Sequence, residues 1–156
     1  MMTVHFCSNA QLHNRVLGLT VGSSSKQDVK SRFFNEGEFT DDDDILIFHP
    51  QKQIYFGSYY WDEIYFAFFK NTLLTISLQI NNDASRYYDL LSGALSKYHH
   101  YRKEGGTNQT NYVIYEDGKT KIMCYILTRD YRQYLRLSYT DLRLFNQKEN
   151  YGMDDL

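Results

Sequence analysis

Leu73 to Ile80 alternates cleanly between apolar and polar positions. Leu74, Ile76, Leu78 and Ile80 fall on one face and Thr75, Ser77 and Gln79 on the other. That period of two predicts a strand with one buried face. Ile64 to Phe69, just upstream, is continuously apolar and fits a strand buried within a sheet. Lys70-Asn71-Thr72 between them reads as a hairpin turn. Asp44 to His49 and Gln53 to Gly57 are shorter strand-like pieces, the second of them aromatic. Three more follow in the second half: Asn111 to Glu116, Lys119 to Leu127, and Tyr134 to Thr140. Ile122, Cys124 and Ile126 share one face of the middle one, and Asp117-Gly118 ahead of it is a two-residue hairpin signal.

Two stretches carry the helical period instead. Ser25-Lys26-Gln27-Asp28 matches a capping box, with a carboxylate three residues after a hydroxyl. Val29, Phe33 and Phe34 follow as an apolar face, and Gly37 is a plausible stop. A second helix is expected after Asn82 or Asp83. Tyr87, Leu91, Leu95 and Tyr98 form its stripe, and Lys97, Arg102 and Lys103 complement the dipole near its C-terminal end before Gly105-Gly106. The order then repeats with a fixed offset: Ser25 and Asp83, Gln53 and Asn111, and Ile64 and Ile122 all lie 58 positions apart. The pattern predicts one α+β domain over residues 11–156. It would hold two tandem helix-plus-antiparallel-strand units, each a helix followed by three or four strands, over about 18–80 and 82–141. Both helices would pack on one sheet face, and a polar tail would cover 142–156.

Leu17-Gly18-Leu19-Thr20-Val21-Gly22-Ser23, running into Lys26-Gln27-Asp28-Val29, resembles the G-x-T…V entry of SmpA/OmlA-type small envelope proteins. The detailed resemblance covers residues 17 to 34. Beyond it the two tandem units resemble the fold of the β-lactamase-inhibitor proteins. The resemblance implies an envelope protein that works by binding other proteins.

Composition narrows the classes. The 156 residues suit one domain, and 17 basic against 19 acidic residues are interspersed for a net charge of −2. Without a basic stripe, nucleic acid is not an expected partner. No apolar run approaches the length of a membrane helix. The opening Met1-Met2-Thr3-Val4-His5-Phe6-Cys7 followed by Ser8-Asn9-Ala10 reads as the remnant of a signal peptide, cut between Ala10 and Gln11. It resembles the ends of many Bacteroidetes signal peptides, and it places the protein in the periplasm or outside the cell. Removal of Cys7 leaves Cys124 alone, a core thiol by its apolar neighbours. The alternative is a cytoplasmic N-terminus with a frayed first strand.

Most chemical motifs resolve into local structure. Glu36 to Asp44 holds six carboxylates in nine residues, but a calcium loop counted from Asp41 meets Leu46 and Lys52 where glycine and glutamate belong. It reads as a solvated loop between helix and strand. Gly118-Lys119-Thr120 lacks the earlier glycine of a phosphate loop, since Val113 stands there. Thr20 within Gly18–Gly22 has nucleophile-elbow spacing, yet no histidine is placed beside it. His99 and His100 point in divergent directions on a helix. No catalytic residue, metal ligand set or cofactor is expected.

What remains is Tyr55-Phe56-Gly57-Ser58-Tyr59-Tyr60-Trp61-Asp62 in a chain that is 17% aromatic. In a strand-turn-strand passage not every ring can face inward. Tyr55, Tyr59, Tyr60 and Trp61 are therefore a candidate interaction patch, with core filling as the alternative. The expected function is non-catalytic protein binding in the envelope, of an inhibitor, immunity or assembly type. The second reading is a small carbohydrate-handling enzyme or binding domain with Asp62 or Glu63 beside the rings. A cytoplasmic phage or mobile-element protein is the third.

Overall fold

The computed structural model describes residues 11–106 and 111–152, so the proposed signal remnant and Cys7 lie outside the described residues. A small hairpin, β1 (Arg15–Val16) and β2 (Leu19–Thr20), leads into α1 (Lys26–Arg32). Next come β3 (Gly37–Asp42), β4 (Ile45–Pro50), and a short hairpin of β5 (Ile54–Phe56) and β6 (Tyr59–Trp61). Strands β7 (Glu63–Phe69) and β8 (Thr72–Ile80) precede α2 (Ala84–Leu95). The chain finishes with β9 (Tyr101–Gly106), β10 (Asn111–Glu116), β11 (Thr120–Arg129), β12 (Arg132–Asp141) and α3 (Leu142–Glu149). Eight strands make one antiparallel sheet in the order β3-β4-β7-β8-β12-β11-β10-β9.

This overturns the expected α+β domain of two tandem helix-plus-strand units. Strands hold 51% of the described residues and helices 20%, so the protein is mostly β. Strand β8 pairs with β12 from Thr75↔Thr140 to Ile80↔Leu135, so both halves share one continuous sheet. Three segments account for the difference. The acidic stretch is not a loop: Gly37–Asp42 is edge strand β3, paired with β4 from Gly37↔Pro50 to Asp42↔Ile45. Its repulsion is relieved by α1, where Lys26 Nζ lies 2.9 Å and Lys30 Nζ 3.5 Å from the Asp41 carboxylate. Second, α2 stops at Leu95, and Tyr101–Gly106 turns back as edge strand β9 against β10. Third, residues 142–149 of the expected polar tail are helical: Asp141 accepts from the Leu144 backbone N–H at 2.9 Å and starts α3.

One sheet face carries the core. Leu46 and Phe48 of β4, Ile64 and Phe66 of β7, and Ile76 and Leu78 of β8 are fully buried there, and Ile122, Cys124, Leu135 and Leu137 continue it. Phe33, at the end of α1, packs its ring 4.6 Å from Phe48 and 5.7 Å from Phe66. The capping box of α1 is complete: Ser25 Oγ accepts from the Asp28 N–H at 3.1 Å, and Asp28 accepts from the Ser25 N–H at 2.8 Å. That fixes the helix start and aims Val29 and Phe33 at the sheet. Helix α2 lies over β11 and β12, and the β5–β6 hairpin inserts Ile54 and Trp61 into the same core. Each such large side chain removed from water contributes about 1.5–3 kcal/mol.

Candidate functional site

Strand alternation that buries one face sends the intervening side chains to the other. Across the middle of the sheet the second face runs from Tyr65 through Ser77 and Ser138 to Met123 in one cross-strand row. The next row joins Glu63, Gln79, Arg136 and Tyr125. Side-chain hydrogen bonds lock the β8–β12 pairs: Thr75 to Thr140 at 3.0 Å and Ser77 to Ser138 at 2.8 Å.

The network is densest near β7, β8 and β12. Arg136 Nε donates to Gln79 Oε1 at 2.8 Å, and its guanidinium carbon sits 4.3 Å from the centre of the Tyr65 ring. Tyr65 donates its hydroxyl to Glu63 Oε2 at 2.6 Å. Gln79, buried, gives its amide to Asn81 Oδ1 at 2.9 Å, and Asp62 accepts from the Asn81 N–H at 2.8 Å. Burial, with the Glu63 carboxylate beside it, holds the Tyr65 hydroxyl above its ordinary pKa, so it stays a proton donor. Each of these side chains holds a partner within the cluster, which positions it before any other molecule arrives.

This network lines a depression of about 940 Å³ bounded by Arg129, Arg132 and Tyr134. Arg129 and Arg132 stand directly opposite each other where β11 turns into β12. Like charges at such positions repel, and among the described residues neither has an ion-pair partner. At the turn itself Tyr131 takes a left-handed conformation with φ 62° and is fully exposed. No protein-family model, curated protein or solved structure matches this chain. The geometry alone therefore carries the functional argument.

The aromatic patch expected from sequence is split by its hairpin. Tyr55 and Tyr60 face each other across β5 and β6, exposed, with ring centres 5.1 Å apart and planes at 60°. Tyr59 turns the other way onto Tyr87 of α2, edge-on at 5.5 Å. Trp61 is buried and donates its indole N–H to the Phe56 carbonyl at 2.9 Å. Glu63 is engaged by Tyr65 on the outer sheet face, and Asp62 accepts from the Asn81 backbone N–H. Among the described residues no three His, Cys, Asp or Glu side chains gather where they could hold a metal ion. None of the helices among them is long and apolar enough to cross a membrane.

Sequence reasoning missed Tyr65, Gln79, Arg136 and the arginine pair at the turn. The available signal was a glutamine at an outward position of β8, whose other polar residues are Ser and Thr, and an arginine in step with Ser138 and Thr140 on β12.

Proposed function

We propose that the protein is a non-catalytic binding module that docks another protein on the open face of its sheet, centred on Tyr65 and Arg136. The observation that supports this most is the preorganised Tyr65–Arg136–Gln79 cluster on the outer sheet face, away from the end where Phe145 of α3 meets Lys121 and Tyr151 meets Phe69. Tyrosine and arginine are the side chains that dominate binding energy at protein interfaces, above all when fixed in place beforehand. Eight strands about 4.8 Å apart make a sheet roughly 34 Å wide, the scale on which partners bury roughly 800 Å² each in a stable complex. Tyr131 and the two turn arginines extend the face and suit a partner that offers carboxylates.

The carbohydrate reading has less support. Two rings at 60° give a sugar no shared flat surface, and the adjacent carboxylates are already engaged.

The test is capture of partners on the immobilised protein from envelope and culture-medium fractions, the compartments to which the opening residues point. Wild type is compared with a Tyr65→Ala/Arg136→Ala double variant and with Tyr55→Ala/Tyr60→Ala. The expected result is a partner that binds wild type and the Tyr55/Tyr60 variant but not the folded Tyr65/Arg136 variant. Identical capture by all three, with a purified partner binding each equally, would sink the assignment of this face.

A further inference from the structure

The β5–β6 hairpin and α2 sit side by side on the buried face of the sheet; they touch where Tyr59 meets Tyr87 and part beyond that contact. Between them a cleft of about 400 Å³ reaches down to Leu137 and Tyr139 of β12. Phe56 and Trp61 form its hairpin wall, and Leu91, Leu95 and Tyr98 form its helix wall. All but Phe56 of these side chains are at most 7% exposed, so the interior is apolar and already shaped. Its volume falls in the range of small-molecule sites, about 300–1,000 Å³.

The mouth is different in kind. His13, Arg15 and Lys97 stand there, and among the described residues no Asp or Glu lines any part of the cleft. In a chain with more acidic than basic residues, 19 against 17, three basic groups around an acid-free opening are a departure from the average surface. Among the described residues Arg15 and Lys97 have no carboxylate partner. Lys97 Nζ instead lies 5.2 Å from the centre of the Tyr98 ring, and the His13 ring meets the same tyrosine edge-on at 6.3 Å.

We propose that this cleft binds a small amphipathic anion, an unbranched apolar chain ending in one carboxylate. The chain lies against Trp61 and Leu95, and the carboxylate stays at the mouth with Arg15 and Lys97. The site is on the sheet face opposite Tyr65 and Arg136, so it stands independently of the protein-docking proposal.

Trp61 is the only tryptophan in the chain, so its fluorescence reports occupancy directly. The full-length protein is titrated with octanoate and decanoate below their micellar range, and with decanol and decyltrimethylammonium as headgroup controls. Calorimetry runs in parallel in case the indole signal is silent. The expected result is saturable one-to-one binding of the carboxylates, tightening about three- to fourfold per added methylene. Replacing Arg15→Gln together with Lys97→Gln, both exposed positions, should weaken decanoate about five- to tenfold. Ala94→Phe, which fills the cleft from the exposed side of α2, should abolish binding while leaving the circular dichroism unchanged. No saturable binding would overturn the proposal. So would decanol or decyltrimethylammonium binding as tightly as decanoate on wild type, a comparison that needs no variant to fold.

Discussion

Arg136 lays its guanidinium 4.3 Å from the centre of the Tyr65 ring, two strands away, while its Nε holds the side chain of Gln79 on the strand between. One side chain therefore ties three neighbouring strands together on their wet face. Arg136→Ala would leave the Gln79 carbonyl, buried at 4% exposure, without its donor. The expected loss is about 1–3 kcal/mol in urea denaturation. Arg136→Lys should recover less than half of it, because an ammonium cannot stack on the ring and donate in plane at once. Equal stability of all three proteins would show that the network contributes nothing to the fold.

Two adjacent phenylalanines should behave in opposite ways. Phe33 is fully buried among Phe39, Phe48 and Phe66, whereas Phe34 is 75% exposed. Phe33→Ala is expected to cost about 3–5 kcal/mol, and Phe34→Ala to stay within about 0.5 kcal/mol of wild type. Thermal melts of the pair check this, and similar losses in both would contradict the packing of α1.

Tyr131 gives a prediction of opposite sign. A bulky residue at φ 62° carries a left-handed backbone penalty of about 1–2 kcal/mol that glycine escapes, less the extra freedom glycine adds to the unfolded chain. Tyr131→Gly should therefore stabilise the protein by about 0.5–1 kcal/mol and raise its melting temperature by a few degrees. The same change should weaken partner capture if the ring belongs to the docking face. A destabilised Tyr131→Gly protein would mean the ring makes contacts that its full exposure does not suggest.

Cys124 makes stability depend on alkaline pH. Burial pushes its thiol from an ordinary value of 9.0 up to about 12. The unfolded thiol loses its proton near pH 9 and the folded one near 12. The stabilisation is whole below 9 and is lost as pH rises towards 12, by about 1.4 kcal/mol per pH unit. Between pH 8 and 10 the wild type should lose about 1.4 kcal/mol more than Cys124→Ala. Parallel curves for the two proteins would refute this. Tyr139, whose hydroxyl burial also raises, adds a similar decline only above pH 10.

The strands with a strong local pattern were legible. The alternating stretch at Leu73 to Ile80 coincides with β8, and the apolar run at Ile64 to Phe69 lies within β7. Edge strands were not. Every residue of β9 is exposed, and β3 offers the core one ring, Phe39, among Gly, Glu, Thr and Asp; neither has enough apolar positions to write an alternation. Their partners β4 and β10 supply the order, and the charged side chains on both edges discourage pairing with other molecules. The aromatic patch was half legible. Composition shows that some rings must face out, but only the hairpin register decides that Tyr55 and Tyr60 do while Tyr59 and Trp61 do not. Arg136 and Gln79 lie 57 positions apart, and no local signal brings β12 to β8.

That same pairing has a consequence for how the chain is made. A ribosome delivers β3 to β8 long before β12, so the newborn first half carries a long, apolar strand with one side unmated until residue 141 has emerged. Contacts this distant in sequence are slow to form, and an open strand edge is where chains stick to one another. Synthesis stalled ahead of Arg132 should yield a nascent chain whose β8 amides on the side of the missing β12 exchange freely and which chaperones hold, and release through Asp141 should end both at once.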